Sequence, residues 1–186
     1  MDITAVTPEL DLTPPDPTRL PGLHVSDLYN SFYRAQQSES EPPYEPNPLK
    51  MALGLAWEAH LERCLHRQGI PATRPPGYQL PDGLCFSPDL LITDDHVLRV
   101  GEMKLTWMSS GYPLTDPRFD RWLTQAKTYC YHLKTNLARI YALHVNGDYR
   151  KSRNPQFLVH DLCFSQQELD DNWERLLQHG RSQQLL

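Results

Sequence analysis

Apolar residues along the chain recur with two different periods, and the change of period divides it into elements. From Leu49 to Gln68 they return every three or four residues, at Leu53, Trp57, Leu61, Cys64 and Leu65. That spacing predicts a long amphipathic helix closed by Gly69. A shorter stripe of Leu28, Phe32 and Ala35 behind Ser26 predicts a first helix to about Gln37, with Ser26 as its cap. Two compact apolar runs follow, Leu84 to Thr93 and Val97 to Trp107, parted by Asp94-Asp95-His96. Runs of that length around a polar turn predict a β-hairpin. Pro71 to Gly83 reads as a loop holding a short strand at Tyr78-Gln79-Leu80. Beyond the hairpin, the pattern predicts a helix from Pro117 to Thr135 and strands over Ala138 to Val145 and Gln156 to Cys163. Ser165 and Glu168 form a capping box for a last helix to about His179.

This order predicts an α/β (α+β) class, a mixed central β-sheet flanked by helices. Five prolines at 8, 14, 15, 17 and 21 mark residues 1–22 as an extended N-terminal arm. Residues 23–180 read as a single domain and 181–186 as a frayed tail.

The hairpin concentrates chemistry. If Asp95 and His96 make the turn, Asp94 pairs with Val97, and counting back sets Asp89 opposite Glu102. Opposed side chains of an antiparallel pair lie roughly 4.5–5.5 Å apart at Cβ. Lys104, two residues beyond Glu102, shares its face because side chains alternate along a strand. One face would carry two carboxylates and an ammonium, which suits a hard divalent cation and phosphodiester hydrolysis. Asp89 and Glu102 are the candidate metal ligands, with a backbone carbonyl near Met103 completing the protein's share. Lys104 would orient or deprotonate the water, or stabilise developing negative charge. The competing reading is an ordinary hairpin with a surface ion pair.

Charge distribution changes the picture more than composition does. The 186 residues carry a net charge of −5, which argues weakly against a polyanionic partner. Residues 99–153, however, hold ten basic and four acidic side chains, so the basic segment begins at the hairpin. The cysteines, Cys64, Cys85, Cys130 and Cys163, form no CxxC pair and read as core packing in a reducing compartment. No signal-peptide pattern is evident, and no apolar run approaches the ~20 residues that span a bilayer. A cytoplasmic, intracellular protein with no membrane partner is expected.

Pro88-Asp89 followed by Glu102-x-Lys104 resembles the PD-(D/E)XK nuclease superfamily, and the likeness extends over residues 26 to 163. It implies a restriction-endonuclease-like αβββαβ core and a metal-dependent deoxyribonuclease using Mg²⁺ or Mn²⁺. In the RecB-like branch, the helix before the hairpin carries Gly-x-x-x-His with the His as a metal ligand. Gly54 to Glu58 has that spacing, with Glu58 in the His position. Lambda-type phage exonucleases use a glutamate there, so the resemblance implies Glu58 as a third ligand; His60 is the competitor. The branch's Gln-x-x-x-Tyr motif matches Gln125 and Tyr129, one helical turn apart, implying phosphate contact or bracing of the lysine. Members with an iron–sulfur cluster use one early cysteine and three late ones; with Cys163 alone late, no cluster is expected.

DNA, single- or double-stranded, is therefore the expected partner, and exonuclease action is favoured over endonuclease. A helicase or recombination protein would be a separate chain. Two other readings remain: a non-catalytic nucleic-acid- or protein-binding module that keeps the fold, and a hydrolase of a small phosphorylated substrate. Trp107 and Tyr112 could stack on unpaired bases or pack internally. Arg150, Lys151 and Arg153 could grip phosphates or form a solvated turn.

Overall fold

A computed structural model describes residues 20–36, 47–94, 96–145 and 155–186. The elements run α1 (Val25–Ala35), α2 (Pro48–Arg67), β1 (Ala72–Thr73), β2 (Tyr78–Gln79), β3 (Cys85–Phe86), β4 (Leu90–Asp94) and β5 (Val97–Thr106). After a 3₁₀ turn (Pro117–Phe119) come α3 (Asp120–Leu133), β6 (Leu137–His144), β7 (Gln156–Cys163) and α4 (Gln166–Ser182).

The main sheet has the order β1-β4-β5-β6-β7, and β2 pairs with β3 in a separate ribbon. Neighbours are antiparallel except β5 and β6, which run parallel with α3 as the crossover. The sheet is thus mixed and flanked by helices, as the periodicity predicts. One face packs Val100 and Ala138 against α1, α3 and α4, through Leu28, Ala126, Leu169 and Leu176. The other packs Leu90, Ile92, Met103 and Tyr141 against Leu61 and Leu65 of α2. Truncating either leucine to alanine would cost about 2–5 kcal/mol.

The hairpin register matches the count from the turn: Asp94 pairs with Val97, and the ladder runs back to Leu90 opposite Gly101. Gly101 is required there, since a Cβ would come within 2.8 Å of the Leu90 Cβ. The first apolar run is not one strand, however. It breaks at Ser87 to Asp89 into β3 and β4, which belong to different sheets. Pro88 explains the break, because it has no N–H to give a ladder.

Several boundaries differ from the sequence expectation. The cap of α1 is His24, not Ser26, and its N–H donates to the Asp27 carboxylate at 2.9 Å. Asn47 caps α2 by accepting from the Lys50 N–H, and Pro48 occupies the first turn, where a missing N–H costs nothing. Gly69 at φ +69° closes that helix as expected. Leu53, expected in the buried stripe, is 50% exposed, and Leu49, Met51 and Leu55 are exposed beside it. Periodicity identifies an apolar face but not what covers it. The helix expected from Pro117 begins with the 3₁₀ turn and ends at Leu133, where Lys134 takes a left-handed conformation. Strand β1 was not expected.

The tail expected to fray is held. Helix α4 continues to Ser182, the Leu185 N–H donates to the Gly180 carbonyl, and the Leu186 side chain covers Gly180. Of the proposed arm, 1–19 lie outside the described residues; the carbonyl of Leu20 meets His24 Nε2 at 2.7 Å. The basic turn Arg150 to Arg153 also lies outside them. Among the described residues no helix is long and apolar enough to cross a membrane.

Candidate active site

Three elements converge where the hairpin ladder ends. Past the Leu90–Gly101 pair, the Met103 N–H is met by the Asp89 carboxylate, which accepts it at 2.7 Å. Asp89 is therefore fixed by the broken strand rather than by β-pairing. Met103 itself buries its side chain under α2.

Glu102 lies beside Ile140 in the parallel β5–β6 ladder and is fully buried. Its Oε2 accepts from Lys104 Nζ at 2.7 Å, whereas its Oε1 has no hydrogen-bond partner among the described residues. Burial pushes the Glu102 carboxyl up to about 8, with Lys104 opposing the rise and Asp89 adding to it. Burial works against the charge on Lys104, yet Glu102 and Asp89 outweigh it and hold the ammonium above its ordinary pKa. Lys104 Nζ lies 4.0 Å from Asp89 Oδ2 and also donates to Gln125 Oε1 at 2.9 Å. Behind it, Gln125 Nε2 faces the Tyr129 hydroxyl at 3.4 Å. Tyr129 is only 4% exposed and rests against Phe86, so its hydroxyl reaches Gln125 rather than solvent.

Glu58 approaches from α2. Its Oε2 accepts from Arg74 Nη2 at 3.1 Å, while Arg74 Nε donates to Glu62 at the same distance. Burial, then repulsion from Asp89, raises the Glu58 carboxyl to about 7 despite Arg74. The charges of Asp89 and Lys104 act on both Glu58 and Glu102, which marks the four as one electrostatic cluster. His60 falls about 200° round the helix from Glu58. It meets Cys64 Sγ at 3.4 Å and stacks on Trp57. Gly54 has no close neighbour that its lack of a side chain would accommodate.

Two contributors escaped the sequence reading. Tyr29 of α1 is buried close enough that Lys104 and Glu102 both act on its hydroxyl, and burial pushes it up to about 12. Arg74 reaches Glu58 from a Pro-rich loop that carries no periodic signal.

Among the described residues no three His, Cys, Asp or Glu side chains lie close enough together to hold a metal ion by themselves. The donor set nevertheless fits a hard cation. A fully buried carboxylate oxygen without a partner is costly. Glu102 Oε1 is such an atom, in a carboxylate cluster where positive charge would relieve repulsion. Mg²⁺ and Mn²⁺ take oxygen ligands of this kind and retain water in the remaining positions.

No family model matches the chain, and no curated protein matches it. Solved structures do. An alkaline exonuclease, LHK-Exo, from Laribacter hongkongensis is 14% identical with a TM-score of 0.50, covering 87% of this chain and 88% of that one. LHK-Exo in complex with dAMP is 15% identical at the same TM-score and coverage. SSO0001 is 14% identical, TM-score 0.50, over 84% of this chain and 75% of that one. At these identities the likeness concerns the fold alone: a mixed sheet flanked by helices, shared with these structures, an alkaline exonuclease among them.

Proposed function

We propose that this chain is a Mg²⁺- or Mn²⁺-dependent deoxyribonuclease of the RecB-like type, acting on DNA ends rather than internally. The observation that carries the reading is the fully buried Glu102, whose Oε1 has no partner among the described residues while Lys104, on its other oxygen, also lies 4.0 Å from Asp89. The likeness to an exonuclease, one structure of which holds a deoxynucleotide, supports it.

Asp89, Glu102 and the Met103 carbonyl would hold the metal, with Glu58 as the outer ligand from α2. The bound ion would supply Lewis-acid charge and a lowered pKa for the attacking water. Lys104 stays charged between its carboxylate neighbours, which favours stabilising charge on the transferring phosphoryl over removing a proton. Gln125, backed by Tyr129, fixes the ammonium in place.

The test is cleavage of linear and closed-circular DNA with Mg²⁺ or Mn²⁺. Linear DNA should be degraded, circles spared, and chelator should stop the reaction. Asp89→Asn and Lys104→Ala should each abolish cleavage while circular dichroism stays unchanged. Full activity in either variant would sink the assignment, and cleavage of closed circles would make the enzyme an endonuclease.

A further inference from the structure

The segment joining β5 to α3 treats its aromatic residues in two ways. Phe119 is buried, 1% exposed, and packs on Trp122 with ring centroids 4.8 Å apart. Trp107 and Tyr112 stay outside, 39% and 44% exposed. Each outward ring has a cation over it: Lys50 Nζ lies 5.5 Å from the Trp107 centroid, and the Arg118 guanidinium 3.9 Å from that of Tyr112.

The segment is not loose. The Met108 N–H donates to Thr106 Oγ1 at 3.1 Å, and the Met108 carbonyl lies 3.0 Å from Nδ1 of the buried His144. Ser110 Oγ donates to Gln156 Oε1 of β7 at 2.6 Å. The Asp116 N–H closes a turn onto the Pro113 carbonyl, and the Asp116 carboxylate accepts the Arg118 N–H. A backbone tied at so many points presents its rings in fixed places. Trp107 stands three residues past Lys104, about 10 Å along an extended strand.

We propose that Trp107 and Tyr112, with Lys50 and Arg118, form a landing surface for an unpaired DNA strand entering the site. Aromatic rings accept any unpaired base, because every base has a π-face, and adjacent cations track the phosphates. A duplex hides those faces in its own stack, so the surface prefers single strands. Arg118, itself exposed, also faces the half-buried Asp116 carboxylate at 3.7 Å, a contact that a phosphate can displace. The inference rests on the nuclease reading for the identity of the polymer, but not on cleavage.

Fluorescence anisotropy of a labelled oligothymidylate and of a blunt hairpin duplex, both in chelator, tests it without catalysis. The single strand should bind more tightly than the duplex. Trp107→Ala and Tyr112→Ala should each weaken it by about 5- to 150-fold, the range of one lost base stack. Trp107→Phe should restore most of that loss, and melting temperatures should report whether the variants fold. Lys50→Ala should flatten the salt dependence by roughly 0.7 in log–log slope, one phosphate contact on a single strand. Equal single-strand binding by folded variants and wild type, or none by the wild type, overturns the surface. If the wild type cleaves DNA but the ring variants bind normally, the nuclease reading survives and this one does not. If nothing is cleaved but binding depends on both rings, the reverse holds.

Discussion

Glu58 and Glu102 serve the same cluster from opposite faces of the sheet and are supported in opposite ways. Glu102 sits mid-strand in β5, fully buried, with Lys104 on one oxygen and none of the described residues on the other. Glu58 sits on a helix, partly exposed, with Arg74 on its Oε2. Burial raises both carboxyls, to about 8 and about 7. A strand residue flanked by two hydrogen-bonded neighbours cannot move aside, so Glu102 keeps a fixed place, and a metal held there would meet a fixed ligand. Glu58 can trade its arginine for another cation by a change of rotamer. The difference suggests a centre with one rigid wall and one adjustable wall.

The largest effect should follow from Glu102→Gln, which keeps the shape and removes the charge. Cleavage should fall by about 10²–10³-fold or more, as when a single preorganised electrostatic group is lost. Stability should move the other way. The folded state holds the Glu102 proton up to about pH 8, whereas an unfolded carboxyl releases it near its ordinary value of 4.5. Between those values the folded chain binds more protons, so metal-free stability falls as pH rises through the window. The amide cannot ionise and escapes that loss. At pH 8 without divalent ions, Glu102→Gln should melt above wild type, by about 2–4 °C for each kcal/mol recovered. At pH 4.5 the two should melt nearly together. Calorimetry at both pH values decides it; a lower melting temperature for the variant at pH 8 would mean that Glu102 is not strained.

Glu58→Gln comes next. If this wall is adjustable, the variant should still cleave at saturating Mn²⁺ but need about 10–100 times more of it. Cleavage rates against Mn²⁺ concentration give the midpoint. Complete loss at saturation would make Glu58 as indispensable as Glu102 and end the contrast.

The contrast was half legible in the chain. The polar turn at Asp94 and His96 fixed the hairpin register, because a slip by one residue would have turned Leu90 and Ile92 out of the core. With the register came the shared face of Glu102 and Lys104, and i, i+4 spacing placed Gln125 against Tyr129. What stayed hidden depends on contacts between distant segments. Arg74 lies sixteen residues beyond Glu58 and meets it only because β1 returns the loop along α2. Leu53 obeys the helical period but is half exposed, with no described residue burying it. The break at Pro88 was visible as a proline within an apolar run. Pro88 belongs to the Pro-Asp motif and, lacking an N–H, also ends a strand.

The smallest effect should come from Arg74→Ala, and its sign carries the most information. If the guanidinium chiefly keeps Glu58 ionised, removing it lets burial and Asp89 push that carboxyl above about 7, so a proton competes with the metal. Mn²⁺ binding, followed by the loss of the free-ion resonance, should then weaken by up to about tenfold at pH 7. At pH 9 the deficit should nearly vanish, because the carboxyl is ionised with or without its partner. If Arg74 instead occupies the oxygen that the metal needs, its removal should tighten binding at every pH. Weakening confined to neutral pH would identify the Arg74 contact as the support that makes the adjustable wall usable near neutrality. Uniform tightening would make the contact a latch that the metal must displace.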